Sequence, residues 1–275
     1  MQSLKPLSQD ERHELCQQTI GQAANKKWFA ARVGRLTASM FKRICRCTKP
    51  ESLLKALLYP CSRATSEAIV YGRNHEADAV EAYARLLRAR DCAVNLRETG
   101  LHIHHVYPFL AASPDRIIVI DEEEGLLEVK CPFSKKGLTT EEACQDRNFC
   151  CRLSEQGASL KTDHAYYYQV QGQMAITGHR WCDFVIWTEG SRPEDPAHLH
   201  VERIPFDEEF WTEEMLPALL YFMKRAFIPE LLTKRVKRLG QLYTSGSYVS
   251  HSKLKRGYYV CRPSEGLRVK IKKLK

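Results

Sequence analysis

The sequence predicts an α/β protein with a mixed β-sheet, and three observations carry that prediction. Helical patterning dominates the chain up to Glu98. Short β-rich runs separated by turn residues follow, and helical periodicity then returns in two later segments with one more β-run between them. At 275 residues, with 44% hydrophobic and 27% charged side chains, the chain is long enough to bury a sizeable core.

In "LSQDERHELCQQTIG", Ser8 is followed three residues later by Glu11, a capping-box pattern that predicts a helix ending at Gly21. "TASMFKRICRC" and "PESLLKALLYP" read as two short helices, the first starting at Thr37 and the second ended by Pro60. In "YGRNHEADAVEAYARLLRAR", Val80, Tyr83, Ala84 and Leu87 form an apolar stripe at helical spacing, while Asp78, Glu81, Arg85 and Arg88 occupy the opposite side. "ETGLHIHHV", "FLAASPDRIIVI", "LLEVKC" and "RWCDFVIWT" read as strands, with "TDHAYYYQVQGQMAITG" as a helix before the last of them. "DEEFWTEEMLPALLYFMKRAFIPELL" closes this part as a helix. Beyond Leu232 the composition turns basic, which predicts a domain over 1–232 and a basic extension over 233–275, either an arm or a small hairpin.

The net charge of +9 and a pI near 9.0 point to a polyanionic partner, nucleic acid first among them. No apolar stretch is long enough to cross a bilayer, and the first residues lack the apolar region of a secretory signal, so an intracellular protein is expected, nuclear if the source is eukaryotic. Eleven cysteines without framework spacing predict free thiols. Neither Cys45-x-Cys47 nor the adjacent Cys150 and Cys151 matches a zinc module.

"RIIVI" and "LLEVK" are separated by the turn-rich "DEEEG", which predicts an antiparallel hairpin. Such a hairpin brings Asp115, at the start of its first strand, close to Glu128 and Lys130 at the end of its second. Alternation puts Glu128 and Lys130 on one face and Val129 on the other. Two converging carboxylates repel unless a cation lies between them, and oxygen ligands favour a hard ion such as Mg²⁺. A lysine beside that ion can orient or deprotonate a water, which is the equipment for phosphodiester hydrolysis. Glu76 lies one turn before Val80 on the apolar stripe, where an unpaired carboxylate needs a metal or a basic partner. Gln169 and Gln173 are one helical turn apart, with Tyr166 near the same face.

Pro114-Asp115, twelve residues, then Glu128-Val129-Lys130 resembles the signature of the PD-(D/E)xK nucleases. "WFAARVGRLTAS", "YGRNHEADAVEAY", "SPDRI", "LLEVKCPF" and "YYYQVQGQM", in that order, narrow the resemblance to the lambda exonuclease branch, the YqaJ-like viral recombinase family. The resemblance implies a restriction-endonuclease-like core with a mixed sheet flanked by helices. It implies Mg²⁺, with Mn²⁺ as a substitute, held by Asp115, Glu128 and the carbonyl of Val129, with Lys130 positioning the attacking water. Glu76 and Gln169 complete the catalytic set, and Arg32, Ser39, Arg35 and Ser113 make a 5′-phosphate pocket. By the same likeness the substrate is the end of double-stranded DNA, degraded 5′→3′ in recombination or repair, the assembly is a homo-trimer, and a single-strand annealing or recombination protein is the partner.

A second argument for the phosphate pocket is local. A Gly34-containing turn leads into a helix expected near Thr37, whose free backbone N–H groups favour a phosphate, and Arg32 adds a forked, charge-assisted contact. In the extension, Lys234, Arg235, Lys237, Arg238 and the terminal "RVKIKKLK" suit a DNA backbone or a nuclear-targeting tract. The alternative to an enzyme is a catalytically silent DNA-binding adaptor that retains the nuclease fold. Retention of both acids and Lys130 argues for the enzyme.

Overall fold

Ser8 caps the first helix as its sequence predicts: its hydroxyl accepts from Glu11 N at 3.1 Å, and the Glu11 carboxylate accepts from Ser8 N at 2.7 Å. The computed structural model describes residues 4–60, 66–192, 194–244, 248–255, 258–260 and 271–273, with residue 255 and the last two stretches described by backbone alone. Helix α1 (Gln9–Gln18) ends at Thr19, two residues before the predicted Gly21. Helix α2 (Lys26–Arg32) is capped by Asn25, and Gly34, at φ 77°, turns the chain into strand β1 (Leu36–Thr37). The helix predicted from Thr37 is a correction. Thr37 pairs with Ala111 in a parallel bridge, and helix α3 (Phe41–Cys45) starts only after a 3₁₀ turn over Ala38–Met40.

Helix α4 (Glu51–Leu58) stops before Pro60 as expected, and the long helix α5 (Glu67–Arg88) carries the apolar stripe. Strands β2 (Val94–Glu98), β3 (His102–Ile103), β4 (Leu110–Ala112), β5 (Arg116–Ile120) and β6 (Glu123–Lys130) follow. After helix α6 (Thr140–Ala143) come the hairpin β7 (Cys151–Ser154) and β8 (Gly157–Leu160), helix α7 (Ala165–Thr177), and strands β9 (Trp181–Thr188) and β10 (His198–Pro205). Strands β2, β7, β8 and β10 were not predicted. Their polar residues weaken the β signal, and β2 and β10 are fixed by pairing with β5 and β9.

The main sheet has the order β10-β9-β6-β5-β2. Its β5–β6 pair is antiparallel and its β6–β9 pair parallel, so the sheet is mixed as predicted. The β5–β6 connection is tighter than "DEEEG" suggested. Asp121 and Glu122 alone form the turn, both at positive φ (47° and 75°), and Ile120 pairs directly with Glu123. Gly125 on β6 is required by close approach, since a Cβ there would lie 2.4 Å from the Trp181 ring.

Each face of this sheet has its own helix. Leu127 and Val129 pack with Tyr71, Ala79, Tyr83 and Leu87 of α5, whereas Leu126 packs with Val170 and Met174 of α7. Buried Asp183 on β9 anchors α5. It accepts from the Tyr83 hydroxyl and from Arg203 Nε at 2.8 Å and Nη2 at 3.0 Å. The sheet therefore holds β6 rigidly between two helices, with even positions facing α7.

The chain forms two compact units, Met1–Ser39 with Ser62–Asp207, and Met40–Cys61 with Glu208–Lys275. The boundary expected at residue 232 falls inside the second unit. Its helical run from Phe210 to Thr233 alternates π-helical turns, Phe210–Met215 and Met223–Phe227, with helices α8 (Leu216–Phe222) and α9 (Ile228–Thr233). Pro217 and Pro229 lie two residues after each π-helical stretch, where a widened turn accommodates a residue without an N–H.

Helix α10 (Arg235–Leu239) is tied to that run by Glu230, a fully buried carboxylate that accepts from Val236 N, Lys237 N and the Tyr59 hydroxyl. Helix α11 (His251–Lys255) follows, then an antiparallel pair of β11 (Tyr258–Val260) and β12 (Ile271–Lys273), the small hairpin allowed by the sequence. Of the terminal "RVKIKKLK", all but the backbone of Ile271–Lys273 lies outside the described residues.

Candidate active site

The β5–β6 register decides where the acids meet. Arg116 pairs with Leu127, so Asp115, one residue before β5, falls opposite Glu128, and its Oδ2 accepts from Val129 N at 2.7 Å. Glu128 and Lys130 share the α7 face, as alternation predicted, and the Lys130 ammonium donates to Glu128 Oε1. Glu128 is 1% exposed and receives donors on both oxygens: Gln169 Nε2 at 2.6 Å on Oε1, and Gln173 Nε2 at 2.7 Å on Oε2. Lys130 also lies over the Tyr166 ring, 4.9 Å from its centre. The two predicted glutamines and the tyrosine thus reach the site from successive turns of α7.

Electrostatics set the protonation of this cluster. Burial and the charge of Glu128 push the Asp115 carboxyl well above its usual range. Burial works to lower the Lys130 ammonium, but the carboxylates of Glu128 and Asp115 overcome it and hold the lysine above its ordinary value. Two carboxyl groups brought together as hard oxygen donors suit a divalent cation of the Mg²⁺ type. Among the described residues no group of three or more His, Cys, Asp or Glu side chains is arranged to hold a metal. A cation here would take two carboxylates, a main-chain oxygen and water, as Mg²⁺ tolerates well.

Glu76 arrives differently from the expectation of an inward acid. It is partly exposed, and Arg116 Nη1 donates to its Oε1 at 3.1 Å and also to the main-chain oxygen of Asp115 at 2.6 Å. The basic partner that its position required is Arg116. That residue directly follows Asp115 in "SPDRI", and the sequence reading did not single it out, because only the strand register shows that it faces α5.

The phosphate-pocket residues divide. Arg32 stacks over the Trp28 ring at 3.9 Å, with its Nη2 at 3.5 Å from Thr37 Oγ1, which is 3.5 Å from Ser39 Oγ. Trp28 Nε1 donates to Ser113 Oγ at 2.8 Å. Arg32, Ser39 and Ser113 are therefore linked through Thr37 and Trp28, which the sequence reading had not assigned. Among the described residues no carboxylate pairs with Arg32, and burial pushes its guanidinium down to about 10. Arg35 turns away. It is 6% exposed and donates to the carbonyls of Ala31 and Pro108, which braces the turn and leaves its fork occupied. The helix start expected at Thr37 to supply backbone N–H groups is absent there, since helix α3 begins only at Phe41.

In the second unit Lys234, Lys237 and Arg238 are exposed and Arg235 is partly buried. Lys237 lies over the Tyr59 ring at 5.2 Å, and Arg238 Nη2 donates to Thr233 O at 3.2 Å.

Residues 27–180 match the YqaJ-like viral recombinase domain, more than half of the chain. The chain belongs to that family. Among solved structures it is similar to an alkaline exonuclease, LHK-Exo, from Laribacter hongkongensis, at 26% identity and a TM-score of 0.53 over 78% of this chain and 100% of that one. LHK-Exo in complex with dAMP gives 25% identity and a TM-score of 0.56, over 78% and 97%. The shutoff and exonuclease protein of Kaposi's sarcoma-associated herpesvirus, at 12% identity and a TM-score of 0.51 over 81% and 75%, shares the fold. An uncharacterized protein of Acanthamoeba polyphaga mimivirus is 26% identical over 172 residues, 58% of this chain, and the chain spans only 28% of its length. The mixed α/β architecture is that of the exonuclease neighbours, and family and neighbours together support a nuclease. No helix among the described residues is long and apolar enough to cross a membrane.

Proposed function

We propose that this chain is a Mg²⁺-dependent deoxyribonuclease that degrades duplex DNA from its ends, 5′→3′ and with preference for 5′-phosphorylated ends, in recombination or repair. The observation that carries this reading is the convergence of Asp115, Glu128 and Lys130 at one end of β5 and β6. The likeness to LHK-Exo, described as an alkaline exonuclease and solved with dAMP, supports it.

Asp115 and Glu128, with the carbonyl of Val129, would hold Mg²⁺, which when bound supplies stabilisation of charge on the phosphoryl oxygen; Mn²⁺ is expected to substitute. Each carboxylate is fixed before substrate arrives, Asp115 by Val129 N and Glu128 by Gln169. Lys130, which donates to Glu128 at the end of β6, orients the attacking water. Glu76 acts through Arg116, which holds the main chain at Asp115. Arg32, poorly solvated and without a carboxylate among the described residues, receives the terminal 5′-phosphate beside Ser39 and Ser113.

Duplex DNA labelled at either the 5′ or the 3′ end, incubated with and without Mg²⁺, tests the proposal. Early release of the 5′-labelled nucleotide that requires the metal supports it. Binding without cleavage would instead favour the adaptor that retains the nuclease fold.

A further inference from the structure

The donor on Glu128 Oε2 belongs to a residue that the proposed chemistry does not use. Gln173 is fully buried on α7, one turn beyond Gln169. Its amide nitrogen donates to Glu128 Oε2 at 2.7 Å and lies 3.4 Å from the carbonyl oxygen of Ser113. A carboxylate and a carbonyl both accept, so only the NH₂ end of the amide can face them. The opposite end carries the consequence: Gln173 Oε1 is buried and has no partner among the described residues.

An unpartnered buried carbonyl lowers stability, because its desolvation is not offset by a hydrogen bond. A residue placed there only to fill the core would avoid that cost by being apolar, as its neighbours Val170 and Met174 are. The two acceptors it bridges also come from different parts of the site. Ser113 immediately precedes Pro114-Asp115, and Glu128 lies across the hairpin from Asp115. Gln169 shares Oε1 with Lys130, whereas Oε2 is held by Gln173.

We infer that Gln173 is a positioning residue: it sets the rotation of the Glu128 carboxylate and its separation from the Ser113–Asp115 segment, and thereby the affinity of the site for its cation. This inference rests on the metal-dependent reading above and adds to it the residue that aims one of the two ligands. Outer partners of this kind change metal affinity by roughly 10- to 100-fold when removed.

The test is Mn²⁺ binding to the full chain without DNA, followed by the electron paramagnetic resonance signal of free Mn²⁺, alongside the thermal midpoint. Gln173→Met, equal in length and apolar, is expected to weaken Mn²⁺ binding by roughly 10- to 100-fold and to lower the midpoint by no more than about 4 °C. Excess Mn²⁺ should then restore cleavage. Gln173→Asn keeps the amide one methylene too short to reach, and should weaken Mn²⁺ binding in the same way if the Met variant fails to fold. Wild-type Mn²⁺ affinity in either folded variant overturns the inference, as does a lowered midpoint with unchanged affinity, which marks a purely structural residue. A wild-type chain that binds no Mn²⁺ overturns the metal-dependent reading itself and the inference with it.

Discussion

The unit of Met40–Cys61 and Glu208–Lys275 contains 20 lysines and arginines against 7 acidic residues, whereas the unit that holds the candidate site contains 22 against 26. The overall charge of +9 is thus the sum of one strongly basic unit and one slightly acidic unit. An acidic surround draws cations toward Asp115 and Glu128 but gives a polyanion no net attraction. A basic unit does the opposite. Under the proposed function, the difference assigns chemistry to one unit and backbone affinity to the other, two tasks that the average charge merges.

The largest effect that would break this separation comes from the site itself. Asp115→Ala, Glu128→Ala and Lys130→Ala should each lower cleavage of end-labelled duplex by at least about 10³-fold, in the range seen when a transition-state contact is removed. All three should still bind duplex with nearly wild-type affinity. The first two should also lose Mn²⁺ binding, while Lys130→Ala retains it. Loss of DNA affinity in these variants would show that the acidic unit also supplies the grip.

Next in size is Arg32, the one cation in the acidic unit assigned to a phosphate. Arg32→Ala should remove the preference for 5′-phosphate over 5′-hydroxyl ends, which we expect to be at least tenfold, corresponding to about 1.4 kcal/mol. Arg32→Lys should restore little of it, since an ammonium lacks the planar fork. Initial rates on the two kinds of end measure this, and full discrimination by Arg32→Ala would remove the pocket.

A smaller effect is expected from Lys234, Lys237 and Arg238. Replacing all three with Ala should flatten the dependence of log affinity on log salt by about 0.9 for each phosphate that is no longer neutralised. Single-turnover cleavage at saturating enzyme should hardly change. Point substitutions are the sharper test, because deleting residues 233–275 would strip Glu230 of the Val236 and Lys237 amides that satisfy it. Such a deletion should lower the stability of the second unit, read as an earlier thermal transition.

The smallest effect lies in the hairpin turn that aligns the site. Glu122 holds φ 75° without being glycine, so Glu122→Gly should raise stability by up to about 1 kcal/mol and leave cleavage unchanged. A lowered denaturation midpoint would mean that the Glu122 side chain supports the turn.

Much of the site was legible before any coordinates. Alternation in "LLEVK" placed Glu128 and Lys130 on one face, and a turn between two apolar runs brought Asp115 opposite them, because these relations are local and have fixed periods. The helix stripe gave α5, and i to i+4 spacing gave the pairing of Gln169 with Gln173. What failed was equally physical. Thr37 was read as a helix start from its own neighbourhood, yet pairing with Ala111 drew it into a strand. Arg35 resembled a phosphate ligand, but its fork is taken by Ala31 and Pro108, partners that no local pattern identifies.

The sequence by itself determined the α/β class, the hairpin, the acids and lysine and the family words, since each depends on residues within one or two turns or across one tight connection. Tertiary structure alone decided that Arg116 is the partner of Glu76, that Gln173 rather than solvent holds the second oxygen of Glu128, and that residues 40–61 belong with 208–275. Those outcomes follow from strand register and helix packing between segments dozens of residues apart. There, burial selects which polar groups must find each other, and no periodicity records the choice.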